Sequence, residues 1–299
     1  MSKTLIYVAG PTGIGKTSLS IELAKRLKTE VISCDSRQFY KELKIGTSPP
    51  SDEQLREVNH HFIHNKSILD DYSVGDYEKE SINIATKLFN KRDYLILVGG
   101  SGLYADSILF GIDDIPKVPL EIKDKLNLKF NEKGIAYLQE KLKEIDLEYY
   151  NKVDLENPSR LIRAIGVYKA SGKKISSLWK NNKKERIFNS LIITMKSDRE
   201  SLYERINKRV DKMVQDGLEQ EASELIKFRN YNALNTVGYK EYFLYFDGKL
   251  SKEETINKIK QNTRNYAKRQ ITWFKKYNNA LELKIGDSID ELLNKLLKY

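Results

Sequence analysis

Eight consecutive residues, Gly10-Pro11-Thr12-Gly13-Ile14-Gly15-Lys16-Thr17, match the pattern G-x-x-x-x-G-K-[ST]. Glycines at that spacing let the backbone curl so that its N–H groups converge on an anion. Lys16 would reach terminal phosphate oxygens and the Thr17 hydroxyl would hold Mg2+, so the segment predicts a phosphate or diphosphate ligand. A second group, Ser33-Cys34-Asp35-Ser36-Arg37-Gln38-Phe39-Tyr40, mixes acid, hydroxyl, amide and aromatic side chains. Such a mixture can recognise a base as well as coordinate a metal. A nucleotide-hydrolysing protein with this loop would also carry an acid at the end of an apolar strand, placed for the metal. The best strand for that, Leu95-Ile96-Leu97-Val98, ends instead in Gly99-Gly100-Ser101. The chemistry therefore needs a phosphate at one end and a proton acceptor beside it.

These groups need a scaffold that brings distant segments together. Residues 3–9 are apolar and β-branched, read as a buried strand, and stop at Gly10-Pro11; residues 17–28 follow with Leu19, Leu23 and Leu27 at a helical spacing. Further strands are predicted at 30–34, 94–98 and 191–195. After the last comes Ser197-Asp198-Arg199-Glu200, a capping-box pattern opening a helix that carries Arg205 and Arg209 one turn apart on one face. Strands alternating with helices predict an α/β fold with a parallel sheet, a P-loop core whose ligands gather at the carboxyl ends of the strands. That would place Lys16, Asp35 and Ser101 around one crevice. Between about 114 and 186 there is helical periodicity and no strand. The expected organisation is a first part of the catalytic core at 1–113, an inserted all-helical domain at 114–187, and the rest of the core with basic helices at 188–299.

The 299 residues carry 52 Lys+Arg against 42 Asp+Glu, a formal charge of +10, which favours a polyanionic partner. Nine basic residues and one acid, Glu185, fall within 158–186, and seven basic residues and no acid within 256–276. Interleaved with Tyr168, Trp179, Tyr266 and Trp273, these runs fit a nucleic-acid surface on which cations meet phosphates and rings stack on bases. The plainer reading is that they are solvated helix faces and that the aromatics belong to the core. Composition, with 40% hydrophobic and 31% charged residues, is that of a globular protein. Mean hydropathy of −0.57 and the lack of a long apolar run argue against a membrane protein. The single Cys34 excludes an internal disulfide and a cysteine-cluster zinc site and points to a reducing, cytoplasmic location. His60, His61 and His64 form the one histidine cluster. With no cysteine or obvious carboxylate beside them, they suit a loop with a structural or substrate-positioning role better than a metal site.

Taken in order, residues 10–17, Asp35-Ser36 with Gln38 and Tyr40, Ile45-Gly46-Thr47, and segments 97–104, 160–164, 237–239 and 268–273 resemble the tRNA dimethylallyltransferases, or tRNA isopentenyltransferases, along nearly the whole chain. The resemblance implies transfer of a dimethylallyl group from dimethylallyl diphosphate to the exocyclic N6 of adenine 37, in the anticodon stem-loop of tRNA. It makes Asp35 the general base and Arg209 the residue that stabilises the leaving diphosphate. Ser101 joins them as a catalytic position where many members carry Thr, the hydroxyl being retained. His64 stands where others often have an acid. The implied tRNA contacts are Asp35, Ser36, Arg37, Gln38, Ser101, Ser159, Arg160, Leu161, Ile162, Arg163, Val237, Gly238, Tyr239 and Lys240, with Lys123 placed by counting from Gly111. Val237-Gly238-Tyr239 could otherwise be only a turn. The lone cysteine excludes the C-terminal zinc finger of many eukaryotic members, so a bacterial-type enzyme acting as a monomer is expected. Rival readings are an adenylate isopentenyltransferase acting on free AMP, ADP or ATP, a small-metabolite kinase, and an RNA-binding protein with a regulatory loop. A free nucleotide needs neither basic run.

Overall fold

The computed structural model describes residues 3–180 and 183–296; positions 1–2, 181–182 and 297–299 of the expected domains lie outside the described residues. The chain divides into two compact units, one formed by Met1–Leu109 with Glu185–Tyr299 and the other by Phe110–Lys184, where the sequence places the cuts at 114 and 187. Strands β1 (Thr4–Ala9), β2 (Val31–Ser33), β3 (His60–His61), β4 (Tyr94–Val98), β5 (Asn189–Lys196) and β6 (Leu281–Lys284) belong to the larger unit. They form one sheet in the order β3-β2-β4-β1-β5-β6, with every neighbouring pair parallel. Helices on both faces leave a parallel strand no solvent side, which is why its central strands read as unbroken apolar runs. Leu5 to Ala9 of β1 and Leu95 to Leu97 of β4 expose nothing.

Helices α1 (Lys16–Arg26), α2 (Asp52–Glu57), α3 (Val74–Phe89) and α4 (Gly102–Leu109) precede the second unit. That unit is built of α5 (Leu120–Ile145), α6 (Leu147–Tyr150), α7 (Pro158–Ser171) and α8 (Ile175–Leu178). The chain then returns to the sheet and adds α9 (Arg199–Gln215), α10 (Leu218–Leu225), α11 (Tyr239–Phe246), α12 (Lys252–Phe274) and α13 (Ile289–Leu296). Leu19 and Leu23 of α1 pack with Ile6, Val8 and Ile96 in the core under the sheet, as their four-residue spacing predicts. In the smaller unit, α5 breaks at Gly134 (φ 73°, ψ −174°), and Leu126, Leu138 and Leu142 close on Leu161, Ile162 and Ile165 of α7.

Three details differ from the sequence reading. The histidine segment is not all loop: His60 and His61 pair with Val31 and Ile32 as an edge strand, too short to show a hydrophobic pattern. Strand β6 also has no readable signature, because only Leu283 of its four residues is buried. The cap of α9 is Asp198, which accepts from the Ser201 N–H at 2.8 Å. That puts Glu200 at the second helical position, where it cannot complete a capping box.

Candidate active site

The Gly10–Thr17 loop leaves β1 and enters α1 through Gly15 (φ 105°), and this helix has no side-chain cap and no acid in its first turn. Elsewhere the chain spends serines on that purpose: Ser51, Ser73 and Ser251 each make a full capping box. An uncapped α1 therefore leaves its first N–H groups, and the positive end of its dipole, open to an anion. The Lys16 ammonium folds back onto the Pro11 carbonyl at 2.9 Å. Burial brings its pKa down to about 8, against the opposing pull of Asp35.

Asp35 follows β2, and Gly99, Gly100 and Ser101 follow β4, its neighbour in the sheet. The approach of these turns explains the glycines. A Cβ on Gly99 (φ 153°) would lie 2.8 Å from the Asp35 nitrogen, and one on Gly102 would lie 2.1 Å from Trp273 Nε1. The Ser101 hydroxyl accepts from the Ser36 N–H at 3.0 Å and lies 3.1 Å from the Ser36 hydroxyl. Asp35 Oδ1 accepts from the Arg37 N–H at 3.2 Å, and its other oxygen makes no hydrogen bond among the described residues. Tyr266 of α12 stands beside Ser101 and Asp35, and burial, with Asp35 next, pushes its phenol up so that it stays protonated.

The strand ends thus open into one cavity of about 360 Å³, lined by Thr12, Lys16 and Thr17 of the loop, by Asp35 and Gln38, and by Arg205, Lys208 and Arg209 of α9. Four cations and one carboxylate line it, with Lys208 paired to Glu204 at 2.6 Å, and the remaining excess of positive charge draws in a polyanion. Burial lowers the Arg209 pKa while Asp35 pulls the other way, yet guanidinium stays charged at any ordinary pH. Arg209 donates to the Thr47 carbonyl at 3.3 Å. Gln38 donates to the Thr47 and Ser48 carbonyls at 3.2 and 3.1 Å, leaving its amide oxygen for a ligand. Arg205 lines the cavity and makes no ion pair among the described residues. His60 lines the cavity too, with Nδ1 2.8 Å from the Val58 carbonyl. Its pKa is lowered by burial. His61 meets a carboxylate that the sequence does not reveal, Glu30 at 2.8 Å. Among the described residues no group of three or more His, Cys, Asp or Glu could hold a metal.

Other expected contacts separate into exposed and buried sets. On α7, Ser159, Arg160 and Arg163 are exposed, as is Lys123 on α5. Leu161 and Ile162 belong to the core of the smaller unit, so their side chains are not available to RNA. Tyr239 is also withdrawn. It is fully buried, and its hydroxyl donates to Glu221 Oε1 at 2.6 Å. Glu221 in turn accepts from the N–H groups of Lys44, Ile45 and Gly46. Tyr239 is therefore a brace for the loop carrying Thr47, and a Cβ on Gly46 would strike its ring at 2.7 Å. Gly238 (φ 101°) is buried, whereas Lys240 is exposed. Arg37 commits one guanidinium nitrogen to the Asn232 and Ala233 carbonyls.

The basic runs shrink in the same way. Arg186 forms a buried pair with Glu78 at 2.7 Å, Lys260 pairs with Asp211, and Arg264 donates to Asn207. Arg160, Arg163, Lys169, Lys173, Lys174, Lys180 and Lys183 are exposed and carry what remains of the first run, with Tyr168 and Trp179 both exposed. Sequence reasoning assigned no role to Gln270, although it lies within the 268–273 block. It spans 258 positions to accept from the Thr12 N–H at 2.8 Å and donates to the Gly100 carbonyl at 2.9 Å.

A parallel α/β core with an uncapped glycine loop, a carboxylate and four cations around one cavity, and a separate helical unit, defines the chain as a polyanion-handling α/β protein with a helical insertion. Comparison with known proteins gives its family. The IPP transferase model matches residues 38–277, and the chain belongs to that family. It is 48% identical over 304 residues to the tRNA dimethylallyltransferase of Flavobacterium psychrophilum, covering 99% of each chain. It is 53% identical over 276 residues to that of Christiangramia forsetii, covering 92% of this chain and 91% of the relative. Among solved structures, a tRNA isopentenylpyrophosphate transferase from Bacillus halodurans superimposes with a TM-score of 0.70 at 34% identity, covering 100% of this chain and 95% of the other. A eukaryotic dimethylallyltransferase acting on tRNA gives 0.78 at 28% identity, covering 95% and 74%.

Proposed function

We propose that this chain transfers the dimethylallyl group of dimethylallyl diphosphate to N6 of adenine 37 in the anticodon stem-loop of tRNA. One observation carries the assignment of roles: Asp35 and the Gly10–Thr17 loop line the same cavity, with Arg209 as a third wall. The N–H groups entering α1, Lys16 and Arg209 hold the diphosphate. The allylic C–O bond breaks, the electron pair leaves on the bridging oxygen, and these donors take up the charge that accumulates there. The adenine amine is a poor nucleophile because its lone pair is delocalised into the ring. Asp35 accepts the N6 proton as the N6–C bond forms, using the carboxylate oxygen left without a partner. Ser101 holds the Ser36 backbone and hydroxyl, and thus the turn that aims Asp35.

With few acidic groups at hand, this site suits Mg2+, a cation that keeps most of its waters and takes one or two protein oxygens plus the phosphates. The Thr17 hydroxyl would hold it, and when bound it supplies further charge neutralisation on the leaving group. The exposed side chains of Ser159, Arg160 and Arg163, with Lys123 and Lys240, take the tRNA backbone. A base in an anticodon loop is already partly unstacked, which lowers the energy needed to draw it into a cavity. Labelled dimethylallyl diphosphate, incubated with either unmodified tRNA or AMP, tests the reading. Label is expected in tRNA; label in AMP and not in tRNA would overturn it.

A further inference from the structure

The N–H groups of Gly13, Ile14, Gly15, Lys16 and Thr17 make no hydrogen bond among the described residues, as an anion-binding loop requires. Thr12 is the exception. Its N–H is already given to Gln270 Oε1 at 2.8 Å. Gln270 is 5% exposed, and its amide nitrogen is given to the Gly100 carbonyl at 2.9 Å. The glutamine is thus fixed at both ends of its amide. A Cβ on Gly100 would lie 2.1 Å from Gln270 Nε2 and 3.8 Å from Lys16 Nζ, so amide and ammonium border the same small space.

This contact lies on the Asp35 side of the loop. Gly100 precedes Ser101, whose hydroxyl holds the Ser36 N–H, and Tyr266, one turn before Gln270 on α12, stands beside Ser101 and Asp35. On that side the reaction needs an uncharged carbon next to the base. A further phosphoryl group projecting there would meet the Gln270 carbonyl oxygen, an acceptor, where an open loop would present the Thr12 donor. Displacing Gln270 would leave its own amide and the Gly100 carbonyl unpaired in a buried place, which is unfavourable. We propose that Gln270 is a specificity-determining residue: it withdraws the Thr12 N–H from the phosphate site and so confines the loop to a diphosphate, barring a longer polyphosphate chain. The proposal rests on the assignment of the diphosphate to the Gly10–Thr17 loop.

Calorimetric titration of the whole protein with inorganic pyrophosphate and inorganic tripolyphosphate, both with Mg2+, tests it. The unaltered protein should bind pyrophosphate the more tightly. Gln270→Ala frees the Thr12 donor and opens the space, and should narrow that preference about tenfold or more, the worth of one hydrogen bond to a charged oxygen. Gln270→Glu keeps an acceptor on Thr12 and adds negative charge, so the preference should hold or widen. An unchanged ratio in a Gln270→Ala protein that still binds pyrophosphate overturns the proposal. Should that variant not fold, Gln270→Glu decides, a narrowed ratio being the contrary result. If the unaltered protein binds neither anion, what fails is the diphosphate assignment to the loop, and the proposal falls with it.

Discussion

Replacing Tyr239 with Phe separates two roles for one residue. The tyrosine is fully buried, its hydroxyl is 2.6 Å from a Glu221 carboxylate oxygen, and burial, then Glu221, raise its pKa so that it remains a donor. A hydrogen bond to a charged group contributes about 1.5–3 kcal/mol. Glu221 keeps three backbone N–H donors and is not left unpaired, so the loss should sit at the lower end, about 1.5–2 kcal/mol. At roughly 2–4 °C per kcal/mol for a chain approaching this size, that is roughly 3–8 °C in melting temperature. The Thr47 carbonyl that receives Arg209 is one residue beyond the braced segment. Its loosening should lower kcat by less than about tenfold, the equivalent of about 1.4 kcal/mol. The KM for tRNA should not move, because no part of the Tyr239 side chain reaches solvent. Calorimetric melting and steady-state transfer assays measure the three quantities. An unchanged melting temperature with a raised tRNA KM would refute the bracing role and restore Tyr239 as an RNA contact.

Gly99→Ala places a methyl against the Asp35 backbone and Cys34, and none of the three atoms it meets first belongs to the Gly10–Thr17 loop. Transfer should therefore fall at least about tenfold, since a displacement of 1 Å at a reacting group can lower a rate about 100-fold, while pyrophosphate affinity by calorimetry stays within about threefold; parallel losses would contradict this. A lysine is charged only below its pKa, so with Lys16 brought down to about 8, pyrophosphate affinity of the ligand-free protein should decline as pH rises through that value. A flat profile from about pH 7 to 9.5 would show that Lys16 keeps its charge there by other means. Arg160→Ala and Arg163→Ala should each weaken tRNA binding and reduce the salt slope by about one, with kcat at saturating tRNA unchanged. An unaltered slope would mean that these exposed cations are ordinary solvated groups.

Local patterns carried most of the fold. The strand, glycine loop and helix from Thr4 to Arg26 are read directly because each signal lies within a few residues: a buried apolar run, a turn only glycine can make, and leucines four apart. Helix α7 is legible in the same manner, with Leu161 and Ile165 inward and Arg160 and Arg163 outward. Edge strands were not. His60–His61 and Leu281–Lys284 bury too little to carry a pattern. Within the site, Lys16 and Asp35 stand in motifs that announce themselves. The brace of Glu221 on residues 44–46 and the bridge of Gln270 to Thr12 join positions 175 to 258 residues apart. No single stretch of sequence encodes them; they exist because parallel crossovers return the chain to the same end of the sheet. Charge counting misled for the same reason, since Arg186 and Lys260 find acids elsewhere in the chain.

The proton-accepting role of Asp35 is tested most directly by single-turnover transfer from labelled dimethylallyl diphosphate to unmodified tRNA with the Asp35→Asn protein. The amide preserves shape and the Arg37 N–H contact through its oxygen, but it cannot take the N6 proton. Transfer should fall by about 100- to 10,000-fold, the usual worth of general-base catalysis, with pyrophosphate binding retained. Transfer at the unaltered rate would contradict the account.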